Sequence, residues 1–351
     1  MKLALLAAPG LGQLVVDELT LREVKLTNQE VRPFKNHDLI LIEFEGSIAQ
    51  VAKSRLVEDI FLPLGEGFPA TTKEDLKRTI PKGLREKILA GLPQILKPRK
   101  KKRSTNYAVF VKQDRDYELY RKDLAAPLVN FLATNFQHWI LREPADVELW
   151  YLISDGRGIL GLRLTDITFR QRKYRTDERA GSLRPTIAAA LVVLGRPGPI
   201  DYVVDPMCGS GTILIERALS GAAAEIHGND IDSAAVELAK ESAAAAKVKI
   251  PVTRLDAMSE GFLKLHRGKV TNLICNLPFG KQFNAGEDRG ALYREALGAW
   301  KELLAPGGVM TLLTNDLNDL REAARNVGLK STRLESWRVK GIRAAAVKVW
   351  V

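Results

Sequence analysis

From residue 184 to its end the chain alternates short apolar runs with helical periods, and that alternation leaves few folds open. Helices are predicted over 184–194, 212–220, 232–246, 289–304 and 317–327, and strands over 201–204, 224–229, 250–253, 270–275 and 308–314. Strands that alternate with helices form a parallel sheet covered on both faces, because each crossover helix must lie against the sheet. Two last strands, near 331–337 and 345–350, are too close together for a crossover and predict an antiparallel hairpin at the end of the sheet. Such sheets bind ligands beyond the carboxyl ends of their strands. Two of those ends carry unusual motifs. Tyr202-Val203-Val204 runs into DPMCGSGT, Asp205 to Thr212, and Leu273-Ile274-Cys275 runs into NLPFG, Asn276 to Gly280.

The earlier residues have a different texture. Residues 1–65 read as a small α+β layer, with strands at Lys2 to Ala7 and Asp38 to Phe44 and amphipathic helices at Leu11 to Leu21 and Ser47 to Leu56. Gly65 to Pro69 (GEGFP) punctuates it. Residues 66–165 read as a second unit. Its helices are expected at Lys73 to Thr79, Lys82 to Leu96 and about Glu118 to Phe136, and its strands at Tyr107 to Lys112, Val147 to Ile153 and Gly158 to Leu164. Residues 166–183 lack an apolar period and form a basic linker ahead of the α/β domain at 184–351.

Charge narrows the partner. Residues 1–184 hold 32 Lys and Arg against 24 Asp and Glu, and the remainder holds 21 against 18. The excess therefore precedes the two motifs, and a basic surface there suits a polyanion such as nucleic acid. Candidate phosphate contacts are Lys100, Lys101, Lys102 and Arg103 in the run KPRKKKR, and Arg170, Arg172, Lys173 and Arg175 in the linker. The apolar start, Leu3 to Ala8, is too short for a signal peptide, and no run approaches the length of a membrane span. Cys208 and Cys275 are the two cysteines, so neither a disulfide framework nor a metal site is expected. A reducing cytoplasm is the expected compartment, with no obligate protein partner indicated.

In DPMCGSGT, Gly209 and Gly211 remove side chains where a ligand must approach the backbone, and Thr212 opens the next helix. The loop lacks the Gly-Lys-Ser/Thr of a phosphate-binding loop and the third glycine of the dinucleotide fingerprint. Asp230 ends the second strand, where nucleoside-binding folds hold a ribose diol, and Asp256 ends the third, where it can accept from an adenine amine. Each acid alone would pass for a helix cap. Three in register at successive strand ends, Asp205, Asp230 and Asp256, match a nucleoside cofactor. The expected cofactor contacts are Asp205, Pro206, Cys208, Gly209, Gly211, Thr212, Asp230, Ile231, Asp256, Ala257 and Asn276.

NLPFG suits a different chemistry. An amine on a heteroaromatic ring is a poor nucleophile because its lone pair is delocalised, so attack on a methyl donor needs that pair localised. Two acceptors aimed at the amino group achieve this, and the Asn276 side-chain oxygen and the Leu277 carbonyl are the candidates. Pro278 fixes the backbone and removes a competing donor. Phe279 can stack on a base, and Lys281 can meet a phosphate. Catalysis of this kind is mostly positioning and electrostatics.

These motifs resemble those of the class I S-adenosylmethionine-dependent methyltransferases that modify amino groups. Their (Asn/Asp/Ser)-Pro-Pro-(Tyr/Phe) motif differs here, since Leu277 stands where the first Pro is usual. The chain is more similar to the THUMP-domain RNA methyltransferases, and among these to the tRNA guanine-N2-methyltransferases of the acceptor stem, whose motifs look like DPxCGSGT and N-L-P-F/Y-G. The likeness extends over YRTDERAGSLRPTIAAAL, Tyr174 to Leu191. It implies a Rossmann-like methyltransferase domain preceded by a ferredoxin-like domain and a THUMP domain, with S-adenosylmethionine as cofactor. It further implies a THUMP unit that grips the tRNA 3′ end and delivers a stem guanine, guanine 6, for methylation at N2. Alternatives are a guanine in ribosomal RNA or near the tRNA D-arm, an adenine in DNA, and a non-catalytic THUMP RNA-binding protein. The basic first half without a DNA-reading helix argues against DNA, and the intact Asn276-Leu277-Pro278-Phe279 set argues against an idle protein.

Overall fold

In the computed structural model, which describes residues 1–96, 104–172, 174, 183–278, 289–339 and 342–351, the chain divides into two units, Met1–Gln171 and Arg172–Val351. Among the described residues the first unit is built on eight strands: β1 (Lys2–Ala7), β2 (Lys25–Phe34), β3 (His37–Glu45), β4 (Val57–Pro69), β5 (Thr105–Gln113), β6 (Trp139–Leu141), β7 (Val147–Ser154) and β8 (Arg157–Arg163). They make one sheet in the order β2-β3-β1-β4-β8-β7-β5-β6. Strand β4 pairs with β1 on one side and β8 on the other, so residues 1–65 and 66–165 contribute to one continuous sheet. Helices α1 (Gly12–Leu21), α2 (Ile48–Val51), α3 (Leu84–Gly91) and α4 (Arg121–Asn135) complete the unit.

Several local expectations are corrected here. The helix expected over Ser47 to Leu56 stops at Val51. Buried Glu18 draws the following segment out of helical form, accepting from the Ser54 hydroxyl at 2.5 Å and the Arg55 amide at 2.8 Å. Gly65 to Pro69 is the last stretch of β4 and not a turn. Register shifts at Pro63/Gly65 and Glu66/Phe68 absorb its glycines, and the ring of Phe68 occupies the space a side chain on Gly158 would need. Lys73–Arg78 is a 3-10 helix, and Lys82 to Leu96 shortens to α3 plus a 3-10 turn at Leu92–Gln94. Strand β2 escapes a pattern reading because its residues are mostly exposed and polar; pairing with β3 makes it a strand.

The second unit contains α5 (Pro185–Leu194), β9 (Tyr202–Asp205), α6 (Thr212–Ser220), β10 (Glu225–Asp230), α7 (Ser233–Ala245), β11 (Val252–Arg254), α8 (Glu260–His266), β12 (Val270–Asn276), α9 (Arg289–Lys301), β13 (Leu304–Thr314), α10 (Leu317–Asn326), β14 (Lys330–Val339) and β15 (Ile342–Trp350). Helix α8 was not legible in the sequence; it is seven residues long and starts where the Ser259 hydroxyl accepts from the Phe262 amide. The sheet order is β11-β10-β9-β12-β13-β15-β14, parallel except that β15 runs antiparallel to both neighbours. Chain order reverses between β9 and β12, the switch point at which such sheets open a ligand crevice. The two motifs found in the sequence follow these two adjacent strands. One face of the sheet is sealed by Leu273, Cys275, Leu277 and Leu312 packed with Tyr293 and Trp300, all at most 2 % exposed. Among the described residues no helix is long and apolar enough to cross a membrane.

Candidate active site

Four strand-end loops enclose a cavity of about 430 Å³, large enough for a cofactor-sized ligand. Asp205, Pro206, Cys208, Gly209 and Thr212 line it after β9, Asp230 and Ile231 after β10, Asp256 and Ala257 after β11, and Asn276 and Pro278 after β12. The three acids named from the sequence thus share one cavity with the asparagine of the second motif. Gly211 does not line it. Its need for glycine is structural: it precedes α6 with φ of +73°, and a Cβ there would approach Ala239 of α7 to 3.2 Å. Gly209 has φ of +52° with open space beside it, and so provides the close backbone approach.

The loops are cross-tied. The Gly209 amide donates to Asp230 Oδ2 at 2.8 Å, and the Asp232 amide donates to Asp230 Oδ1 at 3.0 Å. Asp256 accepts from the Met258 amide at 2.9 Å. Asn229, which the sequence reading passed over, is wholly buried and donates to the Pro206 carbonyl at 3.1 Å and the Leu255 carbonyl at 3.0 Å, binding the first loop to the third. Its signal was an amide placed directly before the acid that ends the strand. Trp300 Nε1 donates to the Ala257 carbonyl at 3.1 Å and fixes the same loop from the core side. Met207, Ser210, Leu183, Ile213, Asp232, Ala235 and Met258 also line the cavity and were not named from the sequence.

Asp205 is 1 % exposed. Burial pushes its carboxyl up to about 7, with the Asp230 charge adding to the rise, while the Met207 amide and the Cys275 thiol oppose it. The same burial, with the neighbouring Asp205, pushes both Cys208 and Cys275 well above the ordinary thiol range.

Asn276 ends β12 with its side-chain oxygen buried and, among the described residues, without a hydrogen-bond partner. Leu277 turns its side chain into the core and donates its amide to the Leu313 carbonyl at 3.0 Å, which holds the motif against the end of β13. Pro278 reaches the cavity. Phe279, Gly280 and Lys281 lie outside the described residues, as do Lys100, Lys101, Lys102, Arg103, Lys173 and Arg175.

One expected phosphate contact has a protein partner in the structure. The Arg172 side chain is 7 % exposed, and its Nε donates to the wholly buried Glu216 at 3.1 Å, a carboxylate that also accepts from the Tyr174 hydroxyl at 2.7 Å. This guanidinium is committed to a structural pair. Arg170 is 55 % exposed, with Nη1 at 3.8 Å from Glu58.

Comparison with known proteins agrees with this geometry. Residues 172–345 match the family UPF0020, RMKL-like, methyltransferase domain. The chain is 27 % identical over 344 residues to the human tRNA (guanine(6)-N(2))-methyltransferase THUMP3, covering 92 % of this chain and 62 % of that protein. It is 33 % identical over 176 residues to the tRNA (guanine(6)-N2)-methyltransferase of Thermus thermophilus, covering 50 % and 51 %. The chain thus spans less than two thirds of the length of these relatives. In fold it is similar to the crystal structure of TrmN from Thermus thermophilus, with a TM-score of 0.74, 21 % identity and 99 % coverage of both chains. The loops that end β9 to β12 therefore belong to a Rossmann-like methyltransferase domain of the RMKL-like family, residues 172–345.

Proposed function

We propose that this protein is a tRNA guanine-N2-methyltransferase that uses S-adenosylmethionine and acts on guanine 6 of the acceptor stem. The observation that carries the reading is the unpartnered, buried Asn276 oxygen in the same cavity as Asp205, Asp230 and Asp256. A buried acceptor left unpaired is rare and costly, and an amine donor would satisfy it. The names of the two relatives above support the choice of base, position and RNA.

The residues fit that cofactor. Asp230 is placed for the ribose hydroxyls and Asp256 for the adenine amine. Ile231, 66 % exposed at the cavity edge, offers an apolar surface to the adenine ring. S-adenosylmethionine, when bound, supplies a methyl group on a sulfonium. The chain's own task is to make the guanine amine a nucleophile. Asn276 Oδ1 and the Leu277 carbonyl accept its two hydrogens and draw the nitrogen lone pair out of conjugation. Pro278 adds no N–H to compete. With the sulfonium supplying the methyl group, the surplus amine proton would be held at Asn276 Oδ1 until it leaves to water. A stem guanine buries its amine in a base pair, so the base must first leave the stack.

The first unit supplies the RNA grip in this reading, with residues 66–165 as the THUMP domain, residues 1–65 as its ferredoxin-like companion and residues 166–183 as the linker. Lys100 to Arg103, Arg170, Lys173, Arg175 and Lys281 are the proposed phosphate contacts. The test is nucleoside mass spectrometry of unmodified tRNA incubated with protein and S-adenosylmethionine. N2-methylguanosine at position 6 is expected; its absence, with methylation of ribosomal RNA instead, would reassign the substrate.

A further inference from the structure

Strands β12 and β13 run parallel, with Asn276 in register with Leu313, and the Leu277 amide locks their ends together. Side chains alternate between the faces of a sheet. On β12, Cys275 and Leu277 face the Tyr293 and Trp300 core, and on β13 Leu312 joins them. Thr314 continues that parity, its hydroxyl 3.0 Å from the Tyr293 hydroxyl. Asn276 is therefore turned to the other side, the side on which it meets the cavity, and Asn315, one residue beyond β13, stands next to that strand end without itself lining the cavity. Asn315 follows the last residue of β13 and has the same peculiarity as Asn276: its side-chain oxygen is buried and has no hydrogen-bond partner among the described residues.

The turn itself does not employ that amide. The Asp316 amide donates to the Thr314 hydroxyl at 3.0 Å, and Asp316 Oδ1 caps α10 by accepting from the Asp319 amide at 3.1 Å. Two unpaired buried acceptors thus stand at neighbouring strand ends, on strands about 4.8 Å apart. A guanine presents two adjacent donors, the N2 amine and N1–H, on one edge. An adenine presents a lone pair at N1, which would face an amide oxygen.

Resting on the guanine reading above, we propose that Asn315 accepts the N1–H of the target guanine while Asn276 and Leu277 hold its amine, which makes Asn315 the residue that selects guanine. The discriminating probe is a tRNA in which the target guanine is replaced by 2,6-diaminopurine. This base keeps the N2 amine but carries a lone pair at N1. The full-length wild type should methylate the guanine RNA with a kcat/KM higher by about tenfold or more, the worth of a buried acceptor facing the wrong partner. Asn315→Ala should slow the guanine RNA and shrink the ratio to within about threefold, while Asn315→Asp, which keeps an acceptor, should preserve it. Calorimetric binding of S-adenosylmethionine should be unchanged in both variants, showing that the fold is intact. An Asn315→Ala variant that slows both RNAs equally and leaves the ratio unchanged overturns the proposal. A wild type that methylates neither RNA at N2 defeats the guanine reading itself, which is a separate failure.

Discussion

The Gly209 amide donates to the Asp230 carboxylate at 2.8 Å, joining the glycine loop after β9 to the acid that ends β10. One side chain thereby shapes the first loop and presents a carboxylate to the cavity. Asp230→Ala is expected to weaken S-adenosylmethionine binding at least about tenfold, because it removes the ribose contact and frees the loop. Calorimetry on the full-length protein checks this, and unchanged affinity would take Asp230 out of the site.

Asn276→Ala should lower turnover roughly 100-fold, by analogy with the loss of one preorganised hydrogen bond. Cofactor affinity should stay within a few-fold, since the contact matters in the transition state. Stability should hold or rise, because the variant removes a buried acceptor that has no partner. A combined loss of activity and melting temperature would mean a structural role.

Asp205 links cofactor binding to pH. Its carboxyl, raised to about 7, is protonated in the folded protein at pH 6 and ionised at pH 8. The cofactor carries positive charge at its sulfonium and amine, so affinity should climb as pH rises through about 7, and Asp205→Asn should flatten the climb. The same group works the other way on stability. Its folded pKa lies above the unfolded value of 3.8, so stability falls as pH rises from about 4 to 7. Titration calorimetry across that range reads the first effect and thermal melts the second.

His266 is 4 % exposed and sits at 3.0 Å from the Tyr202 hydroxyl, among His227 and Lys269. Burial first, then the neighbouring His227 and Lys269, lower its pKa from 6.5 to about 4. The unfolded chain therefore binds a proton that the fold refuses. Stability is full above pH 6.5 and is lost as pH falls toward 4, by up to about 3 kcal/mol from this group. Denaturant titrations of His266→Gln should show a shallower decline over this window.

The arginines of the basic region separate by role. Arg172→Ala should destabilise the protein by about 3–5 kcal/mol, since it strands the buried Glu216 charge, and should leave the salt dependence of tRNA binding unchanged. Replacing Lys100, Lys101, Lys102 and Arg103 together with Ala should do the reverse, weakening tRNA binding and flattening its salt slope with little change in melting temperature. Filter binding at several salt concentrations distinguishes the two.

The sequence by itself determined the α/β half. Its strands are short apolar runs between turn residues and most of its helices carry a strong period, so local pattern and final structure agree from β9 to β15 except at the short helix α8. It also marked the two loops that meet at the cavity, because glycine, proline and acidic residues at strand ends are local features. Tertiary structure decided everything that depends on which strands become neighbours. Only the order β9 beside β12 brings Asn276 into one cavity with Asp205, Asp230 and Asp256. Only packing shows that Arg172 belongs to Glu216, since an arginine bound for a buried carboxylate and one bound for a phosphate have the same local sequence. Polar strand β2 exists because β3 supplies its hydrogen bonds, and Asn229 ties two loops because three strand ends converge on it. Hydrophobic period is written residue by residue along the chain, whereas partners for buried polar atoms come from segments distant in sequence and exist only once the sheet has assembled.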